Sequence, residues 1–182
     1  MSFYGGPQLA ASFRQVRANT IQAAQEIPED KYGFRATPDT RTIAQLLAHI
    51  AVGPWFQLHV HTNGIDDLKQ VNFMELVPQF TAEEARPRSK PELVAFLRSE
   101  GERFATYLEG LSDAFLGQSV QMPPGATPAV KSRFEMLLSP KEHEMHHRGQ
   151  LMMLQRMVGV VPHLTRQMQE RMAARAAAAS KP

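Results

Sequence analysis

The segment SPKEHEMHHRGQLMML, residues 139–154, joins a polar, histidine-rich half to an apolar half. On an α-helix, His143 and His147 are offset by about 40° and share a face, because they are four residues apart. His146 lies about 60° from His143 on the opposite side and about 100° from His147. Since imidazoles four residues apart can converge on one ion, the segment predicts a metal-binding helix. The alternative is a polar turn that leads into a core helix.

A third metal ligand has to come from another part of the chain, and His49 is the candidate. It lies in the middle of IAQLLAHIAVGPWF, residues 43–56, where an unpaired imidazole among apolar residues would be costly. Gly53, one turn further on, leaves room for a ligand or for a close neighbouring helix. The residues that share a helix face with these histidines, and that we predict as a possible pocket, are Gln45, Gly53, Phe56 and Gln150.

Each of these residues also has a purely structural interpretation. A lone buried histidine is more often a hydrogen-bonded core residue than a metal ligand, and histidine pairs at this spacing also occur by chance on surface helices. We expect Arg148 to have a supporting or surface role, and the ten methionines to fill the core. The residues expected to be solvent-facing or ordinary hydrogen-bonding groups are His59, His61, His146 and His163, with Glu142 and Glu144 forming a solvated face.

Four long segments have the periodicity of amphipathic helices. Residues 65–90 form a predicted irregular connection between the second and third helices, long enough to recross a bundle so that these two helices can run parallel. Pro140 either bends the fourth helix or starts a new helical segment that Ser139 would cap. The predicted helices span about residues 8–26, 41–62, 90–110 and 132–157, with Asp39 or Thr40 as N-cap of the second.

The rest of the chain completes the predicted architecture. We find no convincing pair of strands, because the alternation at residues 119–122 is too short to carry weight. The final segment, 163–182, has apolar residues four positions apart and predicts an amphipathic helix that frays into a disordered end. The predicted fold class is therefore all-α: a four-helix bundle over residues 1–162, followed by a C-terminal accessory helix and tail.

Composition and charge narrow the possible partners. The chain has 182 residues, enough for one domain with a sizeable core, and a net charge of +2. From Arg156 to the end there are five basic residues and one acid, which leaves fifteen basic and seventeen acidic residues before Arg156. The basic excess belongs to the tail, and no basic run is interleaved with aromatic residues. Nucleic acid is therefore not an expected partner.

The chain contains no cysteine, which excludes disulfides, thiolate nucleophiles and cysteine-bound zinc. No apolar run approaches the roughly 20 residues that a membrane-spanning helix needs. The N-terminus has no basic start followed by an apolar stretch, as a signal peptide would. We therefore expect no membrane partner and a cytoplasmic location.

The stretches LLAHIAVGPWF, residues 46–56, and HEMHHRGQLMMLQRMVG, residues 143–159, resemble the DinB/YfiT-like family of small four-helix proteins. The lead-in PEDKYGFRATPDTRTIAQLLAH and the connection LSDAFLGQSVQMPPG are similar to that family as well. The resemblance covers most of the chain. It implies an up-down-down-up bundle, a homodimer, and one divalent metal ion, zinc or nickel, held by His49, His143 and His147.

The same resemblance implies several possible functions, since family members include thiol-dependent S-transferases and proposed metal-dependent hydrolases. Three imidazoles leave zinc an open position, where a water or a thiol becomes acidic. We predict a metal-dependent enzyme of the S-transferase type, in which a low-molecular-weight thiol attacks a small electrophilic substrate. The alternatives are a hydrolase, for which the sequence offers no evident general base, and a non-catalytic metal-binding stress-response protein.

Overall fold

The structure is a computed structural model that describes residues 4–179. Most of this range is helical, which confirms the predicted all-α class. None of the helices in the described range has the length and apolar character to cross a membrane. The elements in chain order are α1 (Gly6–Glu26), α2 (Ile43–Val52), α3 (Trp55–Thr62), α4 (Phe73–Ala85), α5 (Lys90–Glu109), α6 (Asp113–Leu116), β1 (Ser119–Gln121), β2 (Val130–Ser132), α7 (Arg133–Met157) and α8 (His163–Ala179).

Four helical segments form the bundle: α1, the consecutive helices α2 and α3, α5, and α7. Helix α5 starts beside the end of α1, so these two run antiparallel. The end of α7 packs beside the end of α1, and the end of α3 meets the start of α7. The predicted up-down-down-up order is therefore confirmed. The hydrogen-bonded pairs that set these directions are Lys90 with Gln25, Gln155 with Ala23, and Arg133 with His61.

Two large apolar clusters hold these segments together. One joins α1, α2 and α5 to the second half of α7, where Leu47 and Leu151 are fully buried. The other joins α1, α3 and α5 to the first half of α7, and in it Phe13 and Phe104 pack edge to face with ring centroids 4.9 Å apart. Each fully buried side chain of this kind contributes roughly 1.5–3 kcal/mol. The clusters therefore hold α2 and α7 against each other.

The predicted second helix, residues 41–62, is divided into α2 and α3 at Gly53 and Pro54. Pro54 has no amide hydrogen to continue the helical ladder, and its ring clashes with the preceding turn. The helix also starts later than predicted: Thr42, not Asp39 or Thr40, is the N-cap. Its hydroxyl oxygen accepts from the Gln45 backbone amide at 3.1 Å, and the side-chain oxygen of Gln45 accepts from the Thr42 backbone amide.

The predicted irregular connection 65–90 is wrong in part, because it contains α4. This helix has no buried residue and carries Pro78 in its interior. Its apolar pattern predicts a helix, whereas the proline predicts an interruption. It packs on α2 at the outer side of the bundle. Its position brings acidic side chains from the connection next to the second bundle helix.

One further expectation needs correction, and one open alternative is resolved. Residues 119–121 form strand β1, which pairs antiparallel with β2, residues 130–132, although we predicted no strand pair. Pro140 does not end the fourth helix, because α7 continues through it. The carbonyl of Met136, one turn earlier, is free of its usual amide donor and accepts the Ser139 hydroxyl at 2.8 Å instead. Ser139 therefore supports the continuous helix and does not cap a new one.

Helix α8 confirms the predicted C-terminal accessory helix and is fastened to the end of α1. His163 is fully buried, with Nε2 3.4 Å from the side-chain oxygen of Asn19, and Arg166 forms an ion pair with Glu26 at 2.6 Å. The predicted disordered end falls on residues 180–182, outside the described residues. The division of the chain into residues 1–162 and 163–182 stays a prediction.

A buried ion pair lies at the centre of the bundle, where Glu144 was expected to be solvated. Glu144 is 1% exposed and accepts the Arg17 Nε at 3.0 Å on both carboxylate oxygens. The same guanidinium donates to the carbonyls of Leu97 and Ile50, at 2.6 and 3.1 Å. A Cβ on Gly101 would lie 2.7 Å from the Arg17 side chain, so glycine makes the space. One side chain of α1 thus binds α2, α5 and α7.

His61 is also buried, contrary to the exposure expected near a helix end. Its Nε2 donates to Gln57 Oε1 at 3.0 Å, and its Nδ1 accepts from Arg133 Nη1 at 2.9 Å. Burial, and then the positive charge of Arg133, lower the pKa of His61 to about 4. The folded protein therefore holds this imidazole neutral over most of the pH range.

We expect Arg17→Met to destabilise the protein by about 3–5 kcal/mol, because it leaves Glu144 charged, buried and unpaired. Replacing both partners, Arg17→Met with Glu144→Leu, should restore most of that loss. Arg14→Met is the matched control: Arg14 also lies on α1, and the change removes its exposed ion pair with Glu102 of α5, which should cost at most about 1 kcal/mol. Urea unfolding of the four proteins measures these changes, and equal losses for Arg14→Met and Arg17→Met would contradict the assignment.

The buried His61 predicts a loss of stability in acid. The unfolded chain binds a proton at this histidine near pH 6.5, whereas the folded state resists protonation down to about pH 4. Between these values the unfolded state holds more protons, so the free energy of unfolding falls as the pH is lowered, by up to about 1.4 kcal/mol per pH unit. His61→Gln should reduce this slope in urea titrations between pH 4 and 8. An unchanged slope would count against a neutral buried His61.

Candidate metal centre

Three histidines meet where α2 packs against α7. His49 Nε2 lies 2.9 Å from His143 Nε2 and 3.0 Å from His147 Nε2. One ring nitrogen from each of the three residues lies within 4.8 Å of the others, so the group could hold a metal ion. His143 and His147 are one turn apart on α7, and the antiparallel packing of α2 places His49 opposite them. The structure therefore brings the three predicted ligands together, and we call this group the histidine triad.

Neighbouring side chains fix the orientation of two of the three rings. The Glu84 carboxylate accepts from His49 Nδ1 at 2.6 Å, and Gln150 Oε1 accepts from His147 Nδ1 at 2.7 Å. In the neutral rings Nδ1 then carries the proton, and each Nε2 presents a lone pair to the centre of the triad. A carboxylate behind an imidazole also raises its basicity as a metal ligand.

His143 is held by close packing. Its Nδ1 is buried and has no hydrogen-bond partner among the described residues. A Cβ on Gly53 would lie 2.9 Å from this nitrogen, so the absence of a side chain at Gly53 lets the ring rest against α2. Burial, and then the neighbouring charges of His147 and His49, lower the pKa of His143 to about 4. The ring is therefore neutral at pH 7.

The other pKa shifts in the site have the same consequence. Burial lowers the pKa of His147, although its hydrogen bond to Gln150 acts in the opposite direction. Burial raises the pKa of Glu84, but the hydrogen bonds from His49 and Arg41 outweigh it and leave that pKa below its ordinary value. At neutral pH the site combines neutral imidazoles at His143 and His147 with a negatively charged supporting carboxylate. Metal binding requires these protonation states.

The donor set of the triad fits a divalent cation. The lone pairs of His49 Nε2 and His147 Nε2 face each other at 3.0 Å, which is repulsive unless positive charge lies between them. Two nitrogens bound tetrahedrally to one zinc would be roughly 3.3 Å apart, so small ring movements reach that separation. Three imidazole ligands leave a fourth position open to another molecule.

A cavity of about 890 Å³ lies beside His147. Its walls are the loop that precedes α2, the first turns of α2 and the second half of α7. Of the four residues predicted as a possible pocket, Gln150 lines this cavity. Gln45 instead caps α2, Gly53 lies against the triad, and Phe56 packs on an aromatic ring of α4 at a centroid distance of 5.7 Å.

Sequence reasoning missed two residues that support the triad, Glu84 and Arg41. Glu84 lies 35 residues after His49, on α4, and its second oxygen accepts from Arg41 Nε at 2.7 Å. Glu84 could have been found from the apolar pattern of residues 73–85, because that pattern predicts a helix with two acids near its end. Pro78 obscures that pattern, so the acids look like part of a loop.

The remaining histidines of α3 and α7 lie outside the triad. His146 is exposed, and its Nε2 accepts from the Gln150 side-chain amide at 3.1 Å, which fixes the orientation of that amide. His59 lines a separate, smaller cavity between α3 and α4. Arg148 is half-buried and donates to the carbonyl of Val16 at 3.4 Å, so it serves the packing of α7 on α1.

The DinB superfamily model matches residues 12–151. The chain belongs to the DinB superfamily. No match was found among curated proteins.

Solved structures of bacterial proteins share the fold. YfiT from Bacillus subtilis, described as a probable metal-dependent hydrolase with an unusual four-helix bundle topology, is 15% identical, with a TM-score of 0.65 over 88% of this chain and 91% of that chain. A DinB-like protein from Bacillus subtilis is 19% identical, with a TM-score of 0.61 over 84% and 92%. An uncharacterised protein from Clostridium difficile 630 is 15% identical, with a TM-score of 0.64 over 87% and 99%. The TM-scores establish similarity of fold.

We expect Glu84→Gln to lower the affinity of the protein for added zinc by about 10- to 100-fold, because the charged support behind His49 is lost while the side-chain shape is kept. Competition titration against a chromophoric chelator measures the affinity. Glu83→Gln is the matched control, since Glu83 lies on the same helix and pairs with Arg88 away from the triad. Equal zinc affinities for the two variants would show that Glu84 does not support the site.

Proposed function

We propose that this protein binds one divalent metal ion, zinc or nickel, through His49, His143 and His147. We further propose that it uses the ion to activate a low-molecular-weight thiol for attack on a small electrophilic molecule. The observation that carries the proposal is the convergence of three imidazole nitrogens, with two of the rings oriented by Glu84 and Gln150. The adjoining cavity supplies room for a substrate.

The surroundings of the triad favour a thiol over water as the nucleophile. Among the described residues, no carboxylate joins the three histidines as a possible metal ligand. Both oxygens of Glu84 accept hydrogen bonds, one from His49 and one from Arg41. Hydrolysis usually needs a general base beside the attacking water. A thiol is acidic enough to lose its proton on metal binding alone. Since the chain has no cysteine, the thiol must come from solution.

Each group has a defined part in the proposed reaction. A divalent cation with one open position supplies Lewis acidity, which lowers the pKa of a thiol bound there. His49, His143 and His147 would hold the cation beside the cavity, and Gln150 keeps the His147 ring in its tautomer. The sulfur forms a bond to an electrophilic carbon as the bond to the leaving group breaks. The thiol proton passes to solvent and the leaving group departs with the bonding electrons.

A metal-dependent hydrolase is the second candidate function. The observation that favours it is the shared fold with YfiT, which is described as a probable hydrolase of that kind. The substrate would occupy the same cavity, where the side-chain amide of Gln150 is available to orient a water molecule. Gln150 cannot act as a base, so this chemistry would depend on the cation to acidify the water.

We also propose that the protein is a homodimer and that α8 contributes to the contact between subunits. Met168 and Met172, four residues apart on α8, are 58% and 59% exposed. An apolar stripe on an otherwise polar helix is stabilised when a second copy covers it. Light scattering should give twice the chain mass, and a monomeric mass would reject this assignment. A cytoplasmic location stays a prediction from the sequence.

We expect the purified protein to contain about one metal ion per chain. The His49→Ala, His147→Ala double variant should lose it because only one imidazole remains. His59→Ala is the control, since His59 lies outside the triad. Elemental analysis decides the point, and equal metal content in all three proteins would reject the site.

The metal-loaded protein should then accelerate the reaction of glutathione with 1-chloro-2,4-dinitrobenzene, followed by the absorbance of the thioether. The double variant should react at the background rate. Accelerated hydrolysis of 4-nitrophenyl acetate without thioether formation would favour the hydrolase. Metal binding without either activity on these or related substrates would favour a non-catalytic role.

A further inference from the structure

The cavity beside the triad has two chemically different parts. Arg41, His147 and Gln150 form its polar end, next to the proposed cation. The rest of the wall is mostly apolar and includes Leu46 and Leu154, together with two methionines of α7. A ligand that satisfies both parts needs a polar head and an apolar body.

The apolar wall is long enough for an extended chain. Met157 lies ten residues after His147, which corresponds to about 15 Å along α7. Met153 and Met157 are 60% and 52% exposed, so these large apolar side chains face open space. Methionine side chains are flexible and polarisable, and they adapt to apolar ligands of different shapes. The wall therefore suits a hydrocarbon or aryl body.

The polar end favours a negative head group. Arg41 uses Nε to bind Glu84 at 2.7 Å, and its two Nη groups make no hydrogen bond to any of the residues from 4 to 179. The guanidinium lies next to the triad, because the Glu84 carboxylate accepts from both Arg41 and His49. A guanidinium with free N–H groups binds carboxylates and other oxyanions well.

The other charged residue of the cavity wall is Asp39, which would repel an anion. Its side chain is exposed and its carboxylate accepts the Thr37 hydroxyl at 2.6 Å. Solvent therefore screens the charge of Asp39. Glu84 already shares its charge between Arg41 and His49, and a bound divalent cation would make the polar end positive. In the metal-free protein the free Nη groups of Arg41 are the charged donors that an anion would meet in this cavity, and a bound cation would strengthen its binding.

We propose that the cavity binds a small amphiphilic monoanion, with a carboxylate or similar oxyanion at Arg41 and an apolar body along Leu46, Met153, Leu154 and Met157. This assignment deepens the proposed function by naming its substrate class, and it rests on that function for the contribution of the cation. The guanidinium and the apolar wall belong to the chain itself, so the metal-free protein should already bind such an anion.

Titration calorimetry of the full chain with octanoate, butyrate, 1-octanol and octylammonium tests the assignment. For the metal-free protein we expect octanoate to bind at least tenfold more tightly than the other three, and zinc to increase its affinity further. Arg41→Gln should remove the preference of octanoate over octanol. Met157→Asp should weaken both ligands. Arg103→Gln and Met74→Asp change an exposed arginine and an exposed methionine outside this cavity and should have no effect.

Three results would overturn the assignment: octylammonium binding as tightly as octanoate, an affinity independent of chain length, or octanoate binding that Arg41→Gln leaves unchanged. Glu84→Gln separates the two roles of Arg41, because it should weaken zinc binding, whereas octanoate binding to the metal-free protein should not weaken and should gain from the loss of a negative charge beside Arg41. Octanoate binding without metal binding would reject the proposed function alone. Metal binding without octanoate binding, including the case where a second copy fills the cavity, would reject the ligand class alone.

Discussion

The buried pair of Arg17 and Glu144 is the interaction on which the arrangement of the four helices depends. A charged carboxylate can be 1% exposed only where a partner compensates its charge, and Arg17 does this while binding carbonyls of two further helices. Apolar packing tolerates small shifts along a helix, whereas these directional bonds admit one register. Because Glu144 directly follows His143 in the chain, the register of α7 also sets the position of the histidine triad.

The site combines well-packed helices with one helix that lies on the outside of the bundle. The triad lies on α2 and α7, which belong to the packed bundle, whereas its supporting carboxylate comes from α4, which has no buried residue. The position of the Glu84 side chain therefore depends on its bonds to His49 and Arg41, and the orientation of those two side chains depends on Glu84. A rigid frame that holds the three histidines, with a peripheral helix that supports one of them, separates the geometry of the triad from its electrostatics.

The fold class and the histidine triad could be predicted from the sequence because both follow from local pattern. Helical periodicity identified the bundle helices, and the four-residue spacing of His143 and His147 with a polar residue inside an apolar helix indicated the triad. The buried state of Glu144 and His61 could not be predicted, since their arginine partners lie 127 and 72 residues away. Glu84 was missed because Pro78 hides α4, and the strand pair because three residues are too few to show a period.

The contact between Gly53 and His143 has a thermodynamic consequence for whatever the triad binds. A ring that rests directly on the backbone of a neighbouring helix has few rotamers left in the folded protein. Its rotational freedom is surrendered when the chain folds, so a later binding event does not have to oppose that loss. The glycine thereby transfers part of the entropic cost of ligation from the binding equilibrium to the folding equilibrium.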